Sequence, residues 1–324
     1  MIQNKNVLVT GGAGFIGSNL CEALLQSNNK VTCLDNFITG KKDNLAPLMS
    51  NPNFNLIEGD IRNIKDCEQA VKGNEIVLHQ AALGSVPRSI ADPITTNEIN
   101  INGFLNILVA TKNEGIKRFV YAASSSTYGD SKELPKLEDN IGMPLSPYAV
   151  TKYVNELYAH VFSNLHGIET IGLRYFNVFG RKQDPNGAYA AAIPKFIKAF
   201  MNHESPKING DGSQTRDFTY IDNVIQANLL AGSTQNNEAV NKIYNIACGG
   251  QSILLDLVEQ LRSLLTNFDP HIKNIAIHHG PERIGDVKHS LASIKRAQTL
   301  LGYRPSHDVN QGLREAIEWY WKNL

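Results

Sequence analysis

The stretch "SPYAVTKYVNEL" at 146–157 sets a phenol and an ammonium, Tyr148 and Lys152, four positions apart. Ser146 suits a helix cap and Pro147 a first helical turn, so the two side chains are expected on one face of a helix, one turn apart. A free tyrosine titrates near about 10 and is a poor base at neutral pH. A cation beside it stabilises the phenolate, and the hydroxyl becomes a usable base. If it takes a proton from an alcohol while the carbon beneath gives up a hydride, the alcohol becomes a ketone. Upstream, "SSSTYG" offers Ser124, Ser125 and Ser126 as donors or relays at the oxygen where charge develops. Spacing does not choose among the three. A hydride also needs an acceptor, and the elements before this helix must supply it.

Those elements alternate. "NVLVT" (6–10), "VTCLD" (31–35), "NFNLIEGD" (53–60), "EIVLHQAA" (75–82), "RFVYAASSS" (118–126) and "TIGLRYFNVFG" (170–180) read as strands separated by longer mixed segments. The rhythm predicts βαβ units, hence an α/β fold with a doubly wound, Rossmann-type parallel sheet and ligands outside the carboxyl ends of its strands. A smaller C-terminal α/β lobe is expected to complete the pocket. The sheet domain is expected over 1–176, with segments around 212–248 returning to it, among them "IYNIA" (243–247), and the lobe over 177–324.

The chain has 324 residues, 42% of them hydrophobic, enough for a large core. Lys plus Arg equals Asp plus Glu at 31 each, so no global field favours nucleic acid or an anionic membrane. The four cysteines lie far apart with no CxxC pair, and read as buried thiols in a reducing cytoplasm. The N-terminus has no signal-like core, and no apolar run approaches the roughly twenty residues of a membrane span. His79, His278 and His279 form no metal-binding spacing with a carboxylate, so no metal is expected.

At the end of the first strand, "TGGAGFIGSNL" places Gly11, Gly14 and Gly17 before a helical pattern, and Asp35 ends the second strand eighteen residues past Gly17. The glycines let the backbone turn tightly against a pyrophosphate whose charge meets the helix N-terminus. A carboxylate at Asp35 accepts hydrogen bonds from both ribose hydroxyls of NAD and repels the 2′-phosphate of NADP, and "DNFITG" carries no Arg to offset that. NAD is the expected cofactor.

The GxxGxxG spacing together with Tyr-x-x-x-Lys resembles the extended short-chain dehydrogenase/reductase family across essentially the whole chain. By that resemblance Phe15, Ile16, Asn36 and Gly40 join the glycines and Asp35 around the cofactor. Asp60 and Ile61 of "GDIRN" look like adenine contacts, and Gln80, Ala81 and Ala82 of "HQAALGSVPRS" look like the loop beneath the cofactor, with Asn100 nearby. Tyr148 and Lys152 also touch the cofactor in such enzymes. The family's catalytic Ser/Thr falls on Ser124, with its neighbours still candidates. Ile99 stands where relatives often have a polar residue, and a leading N-terminal helix is missing; both are departures.

The second half resembles the nucleotide-sugar epimerase branch. Asn177 in "RYFNVFGRKQDPNGAYAAAIPKFI" looks like a phosphate or sugar contact, and Arg216 and Arg283 stand where the family grips two phosphates, a task that suits the planar guanidinium fork. Dehydratases of the family have Asp-Glu after the Ser/Thr and decarboxylases a Glu nearby; "SSSTYG" has neither. Epimerisation through a 4-keto sugar needs no further group. The nearest resemblance is to the bacterial epimerases that interconvert UDP-N-acetylglucosamine and its C4 epimer, with plain UDP-glucose as a further substrate. Ser290 stands where glucose-preferring enzymes can have a bulky tyrosine, Ser85 and Ala191 look like small pocket walls, and Lys195 and Asn209 look like neighbours of the uridine. The alternatives are a uronic-acid 4-epimerase and an NAD-binding regulator without turnover, although such regulators usually lose the Tyr or the Lys. The resemblance also implies a homodimer in which "GFLNILVATKNEG" (103–115) and the Tyr helix pair with a twin's to form four helices.

Overall fold

A computed structural model describes residues 2–186, 191–281 and 288–323. Its strands are β1 (Asn6–Thr10), β2 (Lys30–Asp35), β3 (Phe54–Glu58), β4 (Ile76–His79), β5 (Arg118–Ser124), β6 (Glu169–Tyr175), β7 (Val178–Phe179), β8 (Lys207–Asn209), β9 (Thr215–Arg216), β10 (Thr219–Tyr220), β11 (Lys242–Ile246), β12 (Ser252–Ile253) and β13 (His278–Gly280). Seven of them form one parallel sheet in the order β11-β6-β5-β4-β1-β2-β3. Short apolar, β-branched runs such as "IVLH" of β4, buried at every position, are what a sheet covered on both faces requires. The strand order reverses between β1 and β4, which opens a crevice at their carboxyl ends.

The helices are α1 (Phe15–Gln26), α2 (Ile64–Val71), α3 (Val86–Ala91), α4 (Pro93–Asn97), α5 (Gly103–Glu114), α6 (Pro147–His166), α7 (Ala192–Met201), α8 (Ile221–Ser233), α9 (Leu254–Thr266) and α10 (Val309–Asn323). α6 begins where the sequence places it: the Ser146 hydroxyl accepts from the Ala149 amide at 3.2 Å, and Gly167 ends the helix in the left-handed conformation. One face of α6 packs on β5 and β6. A bidentate ion pair between Glu156 and Arg174 of β6, at 2.8 and 2.7 Å, locks it there with both side chains buried.

Beyond β6 the chain builds the smaller lobe from three two-stranded pairings, β7 with β10, β9 with β12 and β8 with β13, backed by α7, α9 and α10. β11 joins the edge of the large sheet beside β6. A continuous apolar core runs from Val7 and Val9 under the sheet to Leu261, Leu313 and Tyr320 in the lobe.

Candidate active site and cofactor cleft

Between the carboxyl ends of β1 and β4 lies a cleft of about 270 Å³ lined by Gly11, Gly14, Phe15, Ile16, Gly17, Asp35, Asn36, Ile61, Gln80, Ala81, Ala82 and Ile99, among others. Gly11 sits at φ +68, and a Cβ there would lie 2.7 Å from the Ala81 backbone. A Cβ on Gly17 would lie 2.1 Å from the Gly11 carbonyl oxygen, so α1 rests directly on the turn. Gly14 is the N-cap of α1, with no side chain capping the helix and no acid in its first turn. The first amides of α1 are therefore left for an anion, reinforced by the helix dipole.

Asp35 is buried, and its two oxygens accept from the Ala13 and Phe37 amides at 2.8 Å each. Burial raises its pKa and the two amides pull it back. Gly40 folds against it, 2.9 Å from an Asp35 oxygen to where a Cβ would sit. A bare glycine turn, free helix amides and a fixed carboxylate fit the diphosphate and ribose of NAD. Ile99 lines the cleft as an apolar wall.

Three assigned residues are held by contacts within the protein. The Asp60 carboxylate is gripped by Arg62 at 2.7 Å and by Asn36 at 2.8 Å, and Arg62 holds its pKa down at about 2. Asn100 is buried and spans the chain, accepting from the Leu83 amide at 2.7 Å and donating to Thr151 at 3.1 Å, so it shapes the loop after β4. The Ser85 hydroxyl caps α3 by accepting from the Arg88 amide at 3.2 Å. Gln80 belongs to a triangle that sequence gave no sign of: Tyr175 donates to it at 3.1 Å, and Asn228 accepts from Gln80 at 3.1 Å while donating to Tyr175 at 2.9 Å.

The opening pair stands at the carboxyl end of β5. Ser124 stands close enough to the Tyr148 hydroxyl to lower its pKa, and the Ser124 Oγ lies 2.8 Å from the Ser126 Oγ. Of the three serines, Ser124 stands nearest the phenol in this network and Ser126 stands behind it. The Lys152 ammonium lies 6.0 Å from the centre of the Tyr148 ring and donates to the Ala122 carbonyl at 2.8 Å. Burial pushes its pKa down to about 8, while Glu156 one turn on pushes it up. Tyr148 departs from the simple expectation. Burial raises its pKa and the neighbouring Ser124 hydroxyl lowers it, so in the protein by itself the nearby cation does not outweigh desolvation.

His79 beneath this site is buried, stacks near Phe119 and bonds Thr10 at 2.8 Å; burial takes its pKa to about 3, so it is neutral. Among the described residues one group, Asp222, His307 and Glu315, brings possible metal-ligating atoms within 4.8 Å of one another. Arg181 pairs with Asp222 at 2.6 Å and His307 lies 3.0 Å from Glu315, so the group is a polar network around a guanidinium, a poor place for a dication. The four cysteines are free thiols.

A second cleft of about 610 Å³ lies in the lobe. It gathers Asn177, Ala191, Lys195, Asn209 and Arg216 from four separate segments, together with Lys207, Gln214 and Phe218, which sequence had not singled out. Arg216 Nη1 donates to the carbonyls of Thr215 and Lys288 at 2.9 and 3.2 Å. Next to it, Asp217 is fully buried and accepts from the amides of Cys248, Gly249 and Ala292 at 3.1 to 3.2 Å, tying three segments together behind the cleft. Burial outweighs those amides and lifts its pKa to about 6. Ser290 is not in the lining; its amide donates to Thr215 at 3.1 Å, beside Arg216. Arg283 lies outside the described residues.

The sequence matches the NAD dependent epimerase/dehydratase family over residues 7–247. The chain belongs to this family. It is an NAD-dependent epimerase with a Rossmann-type sheet, and among its described residues no helix is long and apolar enough to cross a membrane. It is 38% identical over 320 residues to a putative UDP-glucose 4-epimerase of Methanocaldococcus jannaschii, covering 98% of this chain and 99% of that one. Among solved structures it is similar to a UDP-N-acetylglucosamine 4-epimerase from Methanobrevibacter ruminantium M1 in complex with UDP-N-acetylmuramic acid, at 39% identity and TM-score 0.92 with both chains fully covered. A UDP-glucuronic acid 4-epimerase from Bacillus cereus, in complex with UDP-glucuronic acid and NAD, matches at 33% identity and TM-score 0.89, covering 98% of this chain and 99% of that one.

Proposed function

We propose that this enzyme inverts C4 of UDP-N-acetylglucosamine to give UDP-N-acetylgalactosamine, with UDP-glucose as a further substrate. The observation that carries the reading is the placing of Tyr148, Ser124 and Lys152 on β5 and α6, since β5 stands between the strand that borders the dinucleotide crevice and the strand that leads into the second cleft. NAD, when bound, supplies an acceptor for the sugar's C4 hydride and the means to return it. Tyr148 takes the proton of the 4-hydroxyl and gives it back to that same oxygen once the keto sugar has turned its other face to the cofactor. Ser124, backed by Ser126, donates to the same oxygen, and Lys152 holds positive charge near the phenol. Asn177, Arg216 and Arg283 hold the diphosphate, Lys195 and Asn209 flank the uridine, and Ser85, Ala191 and Ser290 leave room for an acetamido group.

By this reading residues 1–176, with a return over 212–248, carry the cofactor and 177–324 carry the nucleotide sugar. The relative from Methanobrevibacter ruminantium M1 supports the acetylated sugar. The relative from Bacillus cereus supports a second reading, in which the sugar is a uronic acid. The reading includes a homodimer, supported by α6, which leaves Val150, Leu157, Val161 and Leu165 exposed along one side, a stripe that a twin helix would cover. The free thiols fit a reducing, cytoplasmic setting.

The test is purified protein with no added NAD, given UDP-N-acetylglucosamine, UDP-glucose and UDP-glucuronic acid in separate reactions and followed by product separation. UDP-N-acetylgalactosamine is expected as the fastest product. Turnover confined to the uronic acid would establish the second reading, and no epimer from any of the three would defeat both.

A further inference from the structure

The chain does not run straight from β7 into the rest of the lobe. Phe179 and Ala191 both line the larger cleft, yet between them residues 181–184 fold back onto the cofactor half. The Arg181 carbonyl accepts from Asn19 of α1 at 3.1 Å. Lys182, at φ +68 and with its side chain 12% exposed, reaches Glu22 of α1 at 2.9 Å and the Asn44 carbonyl at 3.4 Å. Asp184 divides its carboxylate between the Asn186 amide at 2.9 Å and the Lys41 ammonium at 2.8 Å.

What these contacts fasten is the loop that follows Asp35. Ile38 and Thr39 of that loop line the dinucleotide cleft. Its far end is pinned to a single point of the glycine turn: the Ala13 carbonyl accepts from the Lys41 amide at 3.0 Å and from Asn44 Nδ2 at 2.9 Å, while the Ala13 amide donates to Asp35. Lys41 and Asn44 are thus held from inside by Ala13 and from outside by residues 182 and 184. Left to its inner contacts alone, an exposed loop of this kind opens locally at little cost. A reaction that lends out a hydride and takes it back fails whenever the dinucleotide leaves between the two steps.

We propose that residues 181–184 are a latch that slows release of the dinucleotide, with Lys41–Asp184 and Lys182–Glu22 as its fastenings. The proposal rests on the NAD site and not on the identity of the sugar, so failure of the substrate assignment leaves it standing. Ion pairs at the surface or only partly buried are individually weak, so a single fastening should change the release rate by a few-fold and two together by about tenfold.

The experiment loads the holoenzyme with isotopically labelled NAD, chases with excess unlabelled NAD, and follows label retained on the protein for the wild type, Asp184→Asn, Lys182→Met and the double variant. Release a few-fold faster in each single variant and about tenfold faster in the double is expected, with the thermal midpoint of the NAD-free protein little changed. Lys41→Asp should also release faster, and Lys41→Asp combined with Asp184→Lys should return toward the wild-type rate. A double variant that releases NAD at the wild-type rate overturns the proposal, and so does a swapped pair that releases as fast as Lys41→Asp alone.

Discussion

The two clefts are built from different materials. The dinucleotide cleft is largely main chain: a turn that tolerates no Cβ at Gly11 or Gly17, the uncapped start of α1, and one carboxylate fixed by two amides. The larger cleft is made of side chains, with Asn177, Lys195, Asn209 and Arg216 carried on two- and three-residue strands, a loop and a helix end. Main chain grips a diphosphate whatever the neighbouring side chains are, so it suits a cofactor shared by a whole family. Side chains discriminate, and a lobe of short strands lets them change without disturbing a seven-stranded sheet.

The largest expected effect lies where the two clefts meet. Tyr148→Phe removes the proton acceptor but leaves both clefts intact, so bound NAD should be retained while turnover falls by about 10²–10⁴-fold, measured as epimer formed per bound NAD. A rate within a few-fold of wild type would remove Tyr148 from its role. Next come the glycines, which test whether the cofactor cleft is a matter of backbone shape. Gly17→Ala drives a Cβ to 2.1 Å from a carbonyl and must push α1 off the turn, costing about 1–3 kcal/mol or more and with it NAD binding. At Gly14 the nearest atom to a new Cβ is 3.2 Å away, so Gly14→Ala should keep its thermal midpoint and lose NAD affinity alone. Equal losses of midpoint in the two variants would contradict a cleft shaped for an anion.

The other cleft should fail differently. Arg216→Ala is expected to raise KM for the UDP-sugar about ten- to a hundredfold, the worth of a charge-assisted hydrogen bond, and to leave retained NAD unchanged. Arg216→Lys should recover only part of the loss, because an ammonium cannot reproduce the planar fork. If KM stays put in both, the diphosphate is held elsewhere in the lobe.

How far sequence reached follows the same divide. The strands expected at 6–10, 31–35 and 118–126 appear within about two residues of those bounds, and α6 starts on the serine cap, because alternation, glycine spacing and caps are local signals. Asp35 was legible because it ends a strand at a set distance from a glycine turn. Which of the three serines stands beside the phenol was not legible from spacing, although the family resemblance pointed to Ser124, because it depends on where β5 stops and the chain turns. Nor could spacing show that Asn100 props the loop after β4, or that Asp217 ties three segments spread over 75 residues. Contacts between residues so distant in sequence leave no periodic trace. The Tyr148 phenol is a related case: the companion cation was readable, while the burial that opposes it is a property of the packed site.

The smallest expected effect sets the two halves against each other through pH. His79, under the cofactor half, titrates at about 3 when folded because burial disfavours its charged form. Unfolded, it binds a proton below about 6.5, so between these values the unfolded chain holds the extra proton and stability falls as pH falls. Asp217, behind the substrate cleft, titrates at about 6 against about 3.9 unfolded, so in that window the folded chain holds the extra proton and stability falls as pH rises. Between about pH 4 and 6 the two contributions oppose and largely cancel. Asp217→Asn removes the second and leaves the first. Denaturant midpoints measured from pH 6 down to 4 should therefore fall more steeply in the variant, by up to about 1.4 kcal/mol per pH unit, whatever the variant's offset in absolute stability. An unchanged slope would mean that Asp217 is already ionised across this range and that the amides of Cys248, Gly249 and Ala292 outweigh its burial, which would make the substrate half as dependent on main-chain donors as the cofactor half.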